Sequence, residues 1–377
     1  MRNQSQPRVA VLGGGVIGVS SAYHLARRGA TVCLVTDGAL ASGASGRSLS
    51  WINAAGMRSE HYHRFRMIGI DRYRTLFTRQ PPLDWLRFDG GLRWQSADRA
   101  AARDEVHAHE LAHGYDSQLL TPDEVASRIP GINAAAIPAS GAIWNPGEGW
   151  VDLPSLINYL ARELVRLGGE LITNAGVAAV KVRAGRVRAV GTESRGDLEV
   201  DAALLATGSN VPQMAAEFGV TIPDATTTAL LIATRPQESR LHVVLNAPRV
   251  SLRPAPNDAL AVNADWATSG IEVRSDGTYG VRAETIEELL TEASQVLTGA
   301  PQLAATAHGI GPKPVPGDGE PVLGQLGDVG GLYLAFTHSG ATLALIVGEL
   351  LAYEIMTGQL HPLLAPFRPK RFSERES

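Results

Sequence analysis

The sequence predicts an α/β fold: a Rossmann-type domain interrupted by insertions that build a mostly antiparallel α+β domain. Three observations carry this. The chain opens with a strand, a glycine-rich turn, a helix and a second strand inside about thirty residues, the size a βαβ unit requires. Two later apolar strands, 200–205 and 332–336, end in small-residue turns, Ala206-Thr207-Gly208 and His338-Ser339-Gly340, and the second turn runs into a helix. Between them, 226–265 is rich in strand-forming residues broken by turn signals, a pattern of antiparallel pairing.

Taken in order, residues 8–12 (Arg-Val-Ala-Val-Leu) read as a short buried strand. They lead into Gly13-Gly14-Gly15-Val16-Ile17-Gly18 and a helix whose apolar face carries Val19, Ala22, Tyr23, Leu25 and Ala26. Arg27, Arg28 and Gly29 close that helix, because basic side chains suit its negative end and glycine accepts left-handed backbone. A second strand covers 31–35. Residues 39–56, rich in Gly, Ala and Ser, read as a loop, and 62–77 as a helix. The turn-rich stretch 81–150 holds a charged helix near 98–112 and a short one after Thr121-Pro122-Asp123. A helix over 152–167 ends at Gly168-Gly169. Strands follow at 170–173, 178–183 and 186–193, the last two joined as a hairpin by Ala184-Gly185. Alternation marks strands at 241–245 and 260–263, and amphipathic spacing marks a helix at 284–297. The last helix runs to Met356, and the charged tail from Arg368 reads as frayed. These boundaries predict a first domain from 1–80, 145–215 and 305–365, an inserted domain from 81–144 and 216–304, and a tail over 366–377.

At ~150 residues per domain, 377 residues suit two or three domains. Apolar residues at 44% and charged ones at 19% are ordinary for a globular chain, which excludes a disordered, collagen-like or coiled-coil protein. A net charge of −4 argues against nucleic acid as a partner, since phosphate backbones need a basic surface. The single cysteine, Cys33, excludes an internal disulfide and points to a reducing compartment, the cytoplasm. The best apolar stretch, 343–352, is interrupted by Gly348 and Glu349 and falls short of the ~20 residues that cross a bilayer. No membrane span is expected.

The glycine spacing has a mechanism. Gly13 permits a tight turn, Gly15 lets backbone approach a pyrophosphate, and Gly18 allows close helix–strand packing. The helix start at Val16 and Ile17 then offers N–H groups and a positive dipole to the phosphates. The acidic residue that would hold a ribose is expected at the end of the second strand, where Thr36 stands with Asp37 next to it. Either residue suits the role. No metal site is expected: His61 and His63 flank Tyr62 without a completing set, and His107, His109 and His113 read as a solvated helix face.

Four segments together resemble a known family: 9–36 with its glycine loop; Ser42-Gly-Ala-Ser-Gly-Arg-Ser-Leu-Ser-Trp51-Ile-Asn; 152–209 ending in Ala206-Thr207-Gly208; and Lys313-Pro-Val-Pro-Gly-Asp-Gly-Glu-Pro-Val-Leu-Gly324 followed by Thr337-His-Ser-Gly-Ala-Thr342. The chain resembles the D-amino-acid oxidase family of FAD-dependent amine and amino-acid oxidoreductases, which includes glycine oxidase, sarcosine oxidase and the D-amino-acid dehydrogenases. The resemblance implies that the first domain binds FAD through Gly13, Gly15, Val16, Ile17, Gly18, Thr36, Asp37, Ala44, Ser45, Arg47, Ser48, Val177, Ala206, Thr207, Gly208, His338, Ser339, Gly340, Ala341 and Thr342. The inserted domain then handles substrate. With no cysteine near the C-terminus and no histidine around Trp51-Ile52-Asn53, FAD is expected to be non-covalent.

The implied reaction oxidises the C–N bond of a small amine or amino acid. Hydride passes to flavin N5, the imine is hydrolysed by water, and O2 or another electron acceptor reoxidises the cofactor. Glycine-oxidase-like members carry an arginine before the Pro-x-x-x-Asp-Gly segment to grip the substrate carboxylate, and here that place holds Lys313. Lysine is rare in this chain (Lys181, Lys313 and Lys370 among 34 basic residues) and lacks the planar fork of arginine. Arg253 is a second candidate anion anchor, and Trp51 and Asn53 are candidates for the flavin's reactive face. A homo-oligomer is compatible with the family. Two alternatives stay open: a nicotinamide-dependent dehydrogenase, which explains only 8–36, and a non-catalytic flavin-binding relative acting in a complex.

Overall fold

The computed structural model describes residues 6–79 and 83–372. The chain forms two compact units, one from 1–46, 153–227 and 312–377, the other from 47–152 and 228–311.

The first unit is built on a six-stranded sheet in the order Val322–Gln325, Leu332–Phe336, Ala202–Leu205, Arg8–Leu12, Thr31–Val35, Glu170–Ile172. All pairings are parallel except that of Val322–Gln325 with Leu332–Phe336. The central strands are buried on both faces, which is why 9–12 and 203–205 read as unbroken apolar runs. Helices Val16–Arg27 and Gly340–Thr357 pack closely: a Cβ on Gly348 would lie 2.5 Å from Ser20 Oγ. The latter helix is 18 residues, close to the expected run to Met356, and by length and composition it could cross a membrane. Here it is a core helix, with Leu343–Gly348 and Leu350–Ala352 buried.

A three-stranded antiparallel sheet, Ala178–Arg183, Arg186–Thr192 and Gly196–Glu199, is built from the same part of the chain. Its hairpin turns on Ala184 and Gly185, at φ 51 and 70, the paired left-handed backbone of a two-residue loop. The strand Gly196–Glu199 had no sequence signal, and the expected strand at 200–205 begins only at Ala202. The tail corrects another expectation. Arg368 is buried and forks onto the buried Glu354, and Arg371 pairs with Asp318, so 368–372 is pinned by charge rather than frayed. Residues 373–377 of the expected tail lie outside the described residues.

The second unit carries an eight-stranded sheet in the order Ala305–Lys313, Thr227–Thr234, Ala259–Asn263, Ser251–Ala255, Val244–Asn246, Gly91–Arg93, Ala142–Asn145, Gln118–Leu120. It is mostly antiparallel, with a parallel pairing between Val244–Asn246 and Gly91–Arg93. Leu92, Leu245, Leu252 and Val262 form its core with Leu289 of helix Ala283–Gln295. The alternation at 241–245 overstated the strand: Leu241 and Val243 are buried in irregular backbone before Val244.

The expected domain boundaries shift. Residues 47–79 stay with the second unit because Trp51–Ile52 and Leu86–Arg87 both pair with Gly149–Val151, and Arg66 of helix Glu60–Arg79 binds Asn53. The same pairing moves 145–152 there. Residues 216–227 instead join the first unit, where Ala225 N donates to Val315 O at 2.9 Å. The expected boundary at 80/81 itself lies outside the described residues.

Candidate functional site

At the C-terminal ends of the parallel strands, the glycine loop is shaped by close backbone contacts. Gly13 adopts φ +118, and a Cβ there would fall 2.3 Å from Ala206 O. A Cβ on Gly18 would fall 2.0 Å from Gly13 O. Gly15 differs: its backbone is extended at φ −80, ψ 175, and a Cβ would meet only Ser45 Oγ, at 3.3 Å. No backbone contact of the kind that fixes Gly13 and Gly18 requires a glycine there. Val16 N donates to Ser45 Oγ at 3.0 Å, which brings the short turn Ala44–Arg47 over the helix start.

A second helix start adjoins the first. A Cβ on Gly340 would lie 3.6 Å from Val16 Cγ1 and 4.0 Å from Ile17 Cγ1. Ser339 N donates to Thr337 Oγ1, ordering the His338-Ser339 turn ahead of Ala341 and the buried Thr342. Neither helix has an acidic side chain in its first turn, so neither positive end is neutralised from within its own helix. Thr207 Oγ1 donates to Met214 Sδ, and Gly208, at φ +63, faces Pro314, the neighbour of Lys313. Two adjoining helix starts with no acidic side chain in their first turns suit a dinucleotide pyrophosphate.

At the second strand's end, Thr36 is buried against Gly14, whose Cβ would lie 2.8 Å from Thr36 Oγ1. Exposed Asp37 accepts from Gly38 N at 2.8 Å. Thr36 therefore shapes the glycine loop and Asp37 caps the next turn. Val177 is 75% exposed, two residues past Ala175, whose N–H bonds Thr36 O. The first unit thus gathers Gly13–Gly18, Thr36, Asp37, Ala44, Ser45, Ala206–Gly208 and His338–Thr342, with Lys313 half-buried beside Pro314.

Arg47, Ser48, Trp51, Asn53 and Arg253 belong instead to the second unit. Arg47 lies against Gly309 and Gly311, where a Cβ would strike its side chain, and its buried Nε has no hydrogen-bond partner among the described residues. Ser48 Oγ accepts from Ser50 N, within its own turn. Arg253 is 3% exposed; its guanidinium donates to Leu49 O and Pro254 O, faces Asp152 at 3.5 Å and lies over the Trp150 ring. Burial lowers its pKa to about 10. The expected anion anchor is a framework arginine that ties Leu49 to Trp150 and Asp152.

Trp51 and Asn53 enter a buried polar cluster that the sequence did not announce. Trp51 Nε1 donates to Glu148 Oε2 at 2.7 Å, and the Tyr115 hydroxyl binds Glu148 Oε1. Ala54 N donates to Tyr115 OH. Asn53 Oδ1 and O both accept from Arg66. Glu110, fully buried, takes Arg93, Gly56 N and Ser117 Oγ. The histidines of helix Ala100–Ala112 and its end are not a solvated face: His107 bonds Ser117 and His109 bonds Arg58, while the His113 ring sits 5.4 Å from that of His63. Desolvation pushes Glu148 up to about 8 and lowers His63.

A family model for FAD dependent oxidoreductases, DAO, matches residues 8–354. The chain is similar to one subunit of the opine oxidase of Agrobacterium tumefaciens (strain Ach5), 23% identical over 98% of this chain and 98% of that one. It is also similar to glycine oxidase of Geobacillus kaustophilus (strain HTA426), 24% identical over 95% of each. The crystal structure of glycine oxidase from Geobacillus kaustophilus shares the fold, with a TM-score of 0.81 at 23% identity, covering 97% of this chain and 99% of that one. The match extends far beyond the 8–36 stretch that a nicotinamide enzyme would explain, so the cofactor is FAD. The chain belongs to the DAO family of FAD-dependent oxidoreductases.

Proposed function

We propose that the chain oxidises the C–N bond of a small amine or amino acid, of the D-amino acid, glycine or N-methyl amino acid class, to an imine that water hydrolyses. The observation that carries this reading is the pair of adjoining helix starts, where a Cβ on Gly15 would meet only Ser45 Oγ. The family match and the relatives named for glycine and opine oxidation support the substrate class. FAD, when bound, supplies the hydride acceptor, and O2 or another electron acceptor takes the electrons onward. Gly13–Gly18, Ser45 and the Gly340 helix start hold it without a covalent tether.

The chain's own contribution is binding and orientation. The Lys313 ammonium gives the substrate carboxylate a compact point charge in place of an arginine fork. Arg253 and Arg66 fix the 49–54 segment, so Trp51 and Asn53 present set faces. Cys33 is partly buried and its thiol is pushed up to about 11, an unreactive cysteine compatible with a cytoplasmic setting. The opine oxidase relative is one part of a larger enzyme, which supports a second reading in which this chain works within an assembly.

Lys313→Met tests the substrate assignment. Losing a charge-assisted bond to a carboxylate costs ~1.5–3 kcal/mol, a drop of roughly 10- to 150-fold in kcat/KM. The loss must fall on amino acids and spare neutral amines. Turnover of every accepted substrate within about twofold of the parent would place the carboxylate elsewhere.

A further inference from the structure

We infer that Glu148 is a positioning residue: a carboxyl held neutral in the second unit's core, whose proton state sets the place of the Trp51–Ala54 segment. It bears on catalysis only through the substrate role proposed above for Trp51 and Asn53; the geometry stands without it.

Glu148 is fully buried, and its hydrogen-bond partners among the described residues are neutral groups at both ends of one segment. Oε2 accepts from Trp51 Nε1, and Oε1 meets the Tyr115 hydroxyl, which itself accepts from Ala54 N at 3.0 Å. Indole N–H can only donate, so Oε2 is fixed as an acceptor. The Tyr115 hydroxyl, which accepts from Ala54 N, donates to Oε1.

The charged neighbours are engaged elsewhere. The Arg93 guanidinium binds Glu110, a second fully buried carboxylate that is also held by Gly56 N and Ser117. On the far side of Tyr115, the His63 ring stands edge-on at 5.3 Å, with Nδ1 on Ala54 O, and Arg66 binds Asn53. Arg58, lowered to about 10 by burial, donates to Ala55 O. The Arg93 charge, bound by Glu110, still pulls toward an ionised Glu148, but burial outweighs it and favours the neutral acid. Glu148 rises to about 8 accordingly.

Room for this carboxyl is reserved by sequence. A Cβ on Gly91 would fall 2.2 Å from Glu148 Oε2 and 3.1 Å from Trp51 Nε1. When Glu148 ionises, a buried charge appears between the Trp51 indole and the Tyr115 hydroxyl, and both bonds to it become charge-assisted. That change reaches the 51–54 segment directly.

The test uses the holoenzyme, with near-ultraviolet circular dichroism and tryptophan fluorescence followed from about pH 6 to about pH 10. The wild type shows a transition centred near 8. Glu148→Gln, which keeps the neutral shape, abolishes it, and Trp51→Phe removes its tryptophan signal. Tyr115→Phe deletes a bond that favours the ionised carboxylate, so the midpoint moves upward; this variant decides the matter if Glu148→Gln does not fold. A flat wild-type signal, a transition that survives Glu148→Gln, or a midpoint unmoved in Tyr115→Phe overturns the inference. Failure to oxidise any amine would defeat the proposed function and leave this titration as it is, because the tryptophan signal needs no substrate.

Discussion

Replacing Gly15 by valine separates cofactor binding from folding more cleanly than any other change in the glycine loop. At φ −80 and ψ 175 the Gly15 backbone is ordinary extended chain, and the new Cβ meets only Ser45 Oγ, at 3.3 Å. Losing glycine at a helix N-cap costs at most about 1 kcal/mol. Restricting the unfolded chain returns ~0.4–1 kcal/mol. The fold should therefore survive nearly unchanged. Gly18→Ala is the contrast, since its Cβ would sit 2.0 Å from Gly13 O, a backbone atom with nowhere to go. For FAD the order reverses. The valine occupies the pyrophosphate's approach, and each charge-assisted bond lost there costs ~1.5–3 kcal/mol, so affinity falls roughly 10- to 150-fold per bond. The assay is a pair of measurements on apoprotein: a melting temperature by calorimetry and an FAD titration by quenching of flavin fluorescence. Gly15→Val must melt near the parent temperature yet bind FAD at least about tenfold more weakly. A folded Gly15→Val protein with parental FAD affinity would refute the assignment of this loop to the pyrophosphate.

Acid or heat precipitation should release all the flavin as free FAD, read by its absorption in the supernatant; flavin that stays with the pellet contradicts non-covalent binding. Arg368→Leu leaves Glu354 buried without its cation and should cost ~3–5 kcal/mol in urea unfolding; a loss under about 1 kcal/mol would mean the pair contributes little. Stability should also fall as pH rises through the neutral range. Glu148, raised from 4.5 to about 8, binds its proton more tightly when folded, so its contribution is full below 4.5 and is lost by about 8. The whole span corresponds to about 5 kcal/mol as an upper figure. His63, lowered from 6.5 by burial, acts in the opposite sense and only below that value. Comparing urea midpoints of wild type and Glu148→Gln between pH 6.5 and about 8 isolates Glu148, and parallel profiles would contradict the assignment.

Which parts of this protein could be read from its sequence follows from how far apart the interacting residues lie. The glycine loop was legible because its spacing is local: Gly18 packs on Gly13 within the loop, and Gly15 leaves its own position open except toward Ser45. The capping box Thr121–Glu124 and the hairpin turn Ala184-Gly185 are local in the same sense. Burial is not local. Arg253 looked like an anion anchor because an arginine at a strand end usually meets solvent, and only the packed structure puts Leu49, Asp152 and Trp150 around it. The tail looked frayed because its charges were visible and their partners, Glu354 and Asp318, were not.

The buried cluster is the extreme case, with Trp51 and Glu148 separated by 97 positions. No periodicity or motif links them, and each residue alone has an unremarkable reading. Yet one trace was present. Glu148 stands between Gly147 and Gly149, and Gly91 opens a strand in which a glycine weakens pairing. Gly149 would clash with Arg87 O if it bore a Cβ, and Gly91 with the carboxyl of Glu148 itself. A strand glycine that marks the close approach of a buried acid is a physical signal, but it names neither the acid nor the distance until the sheet is assembled. Gly91→Ala therefore tests the same cluster from the opposite side. It adds a methyl group where the carboxyl oxygen now lies at 2.2 Å, so Glu148 must leave Trp51 or the strand must move. The near-ultraviolet signal of Trp51 should change while the FAD affinity of the glycine loop stays within about twofold of the parent. Loss of both together would show that the cluster supports the whole fold rather than the one segment that carries Trp51 and Asn53.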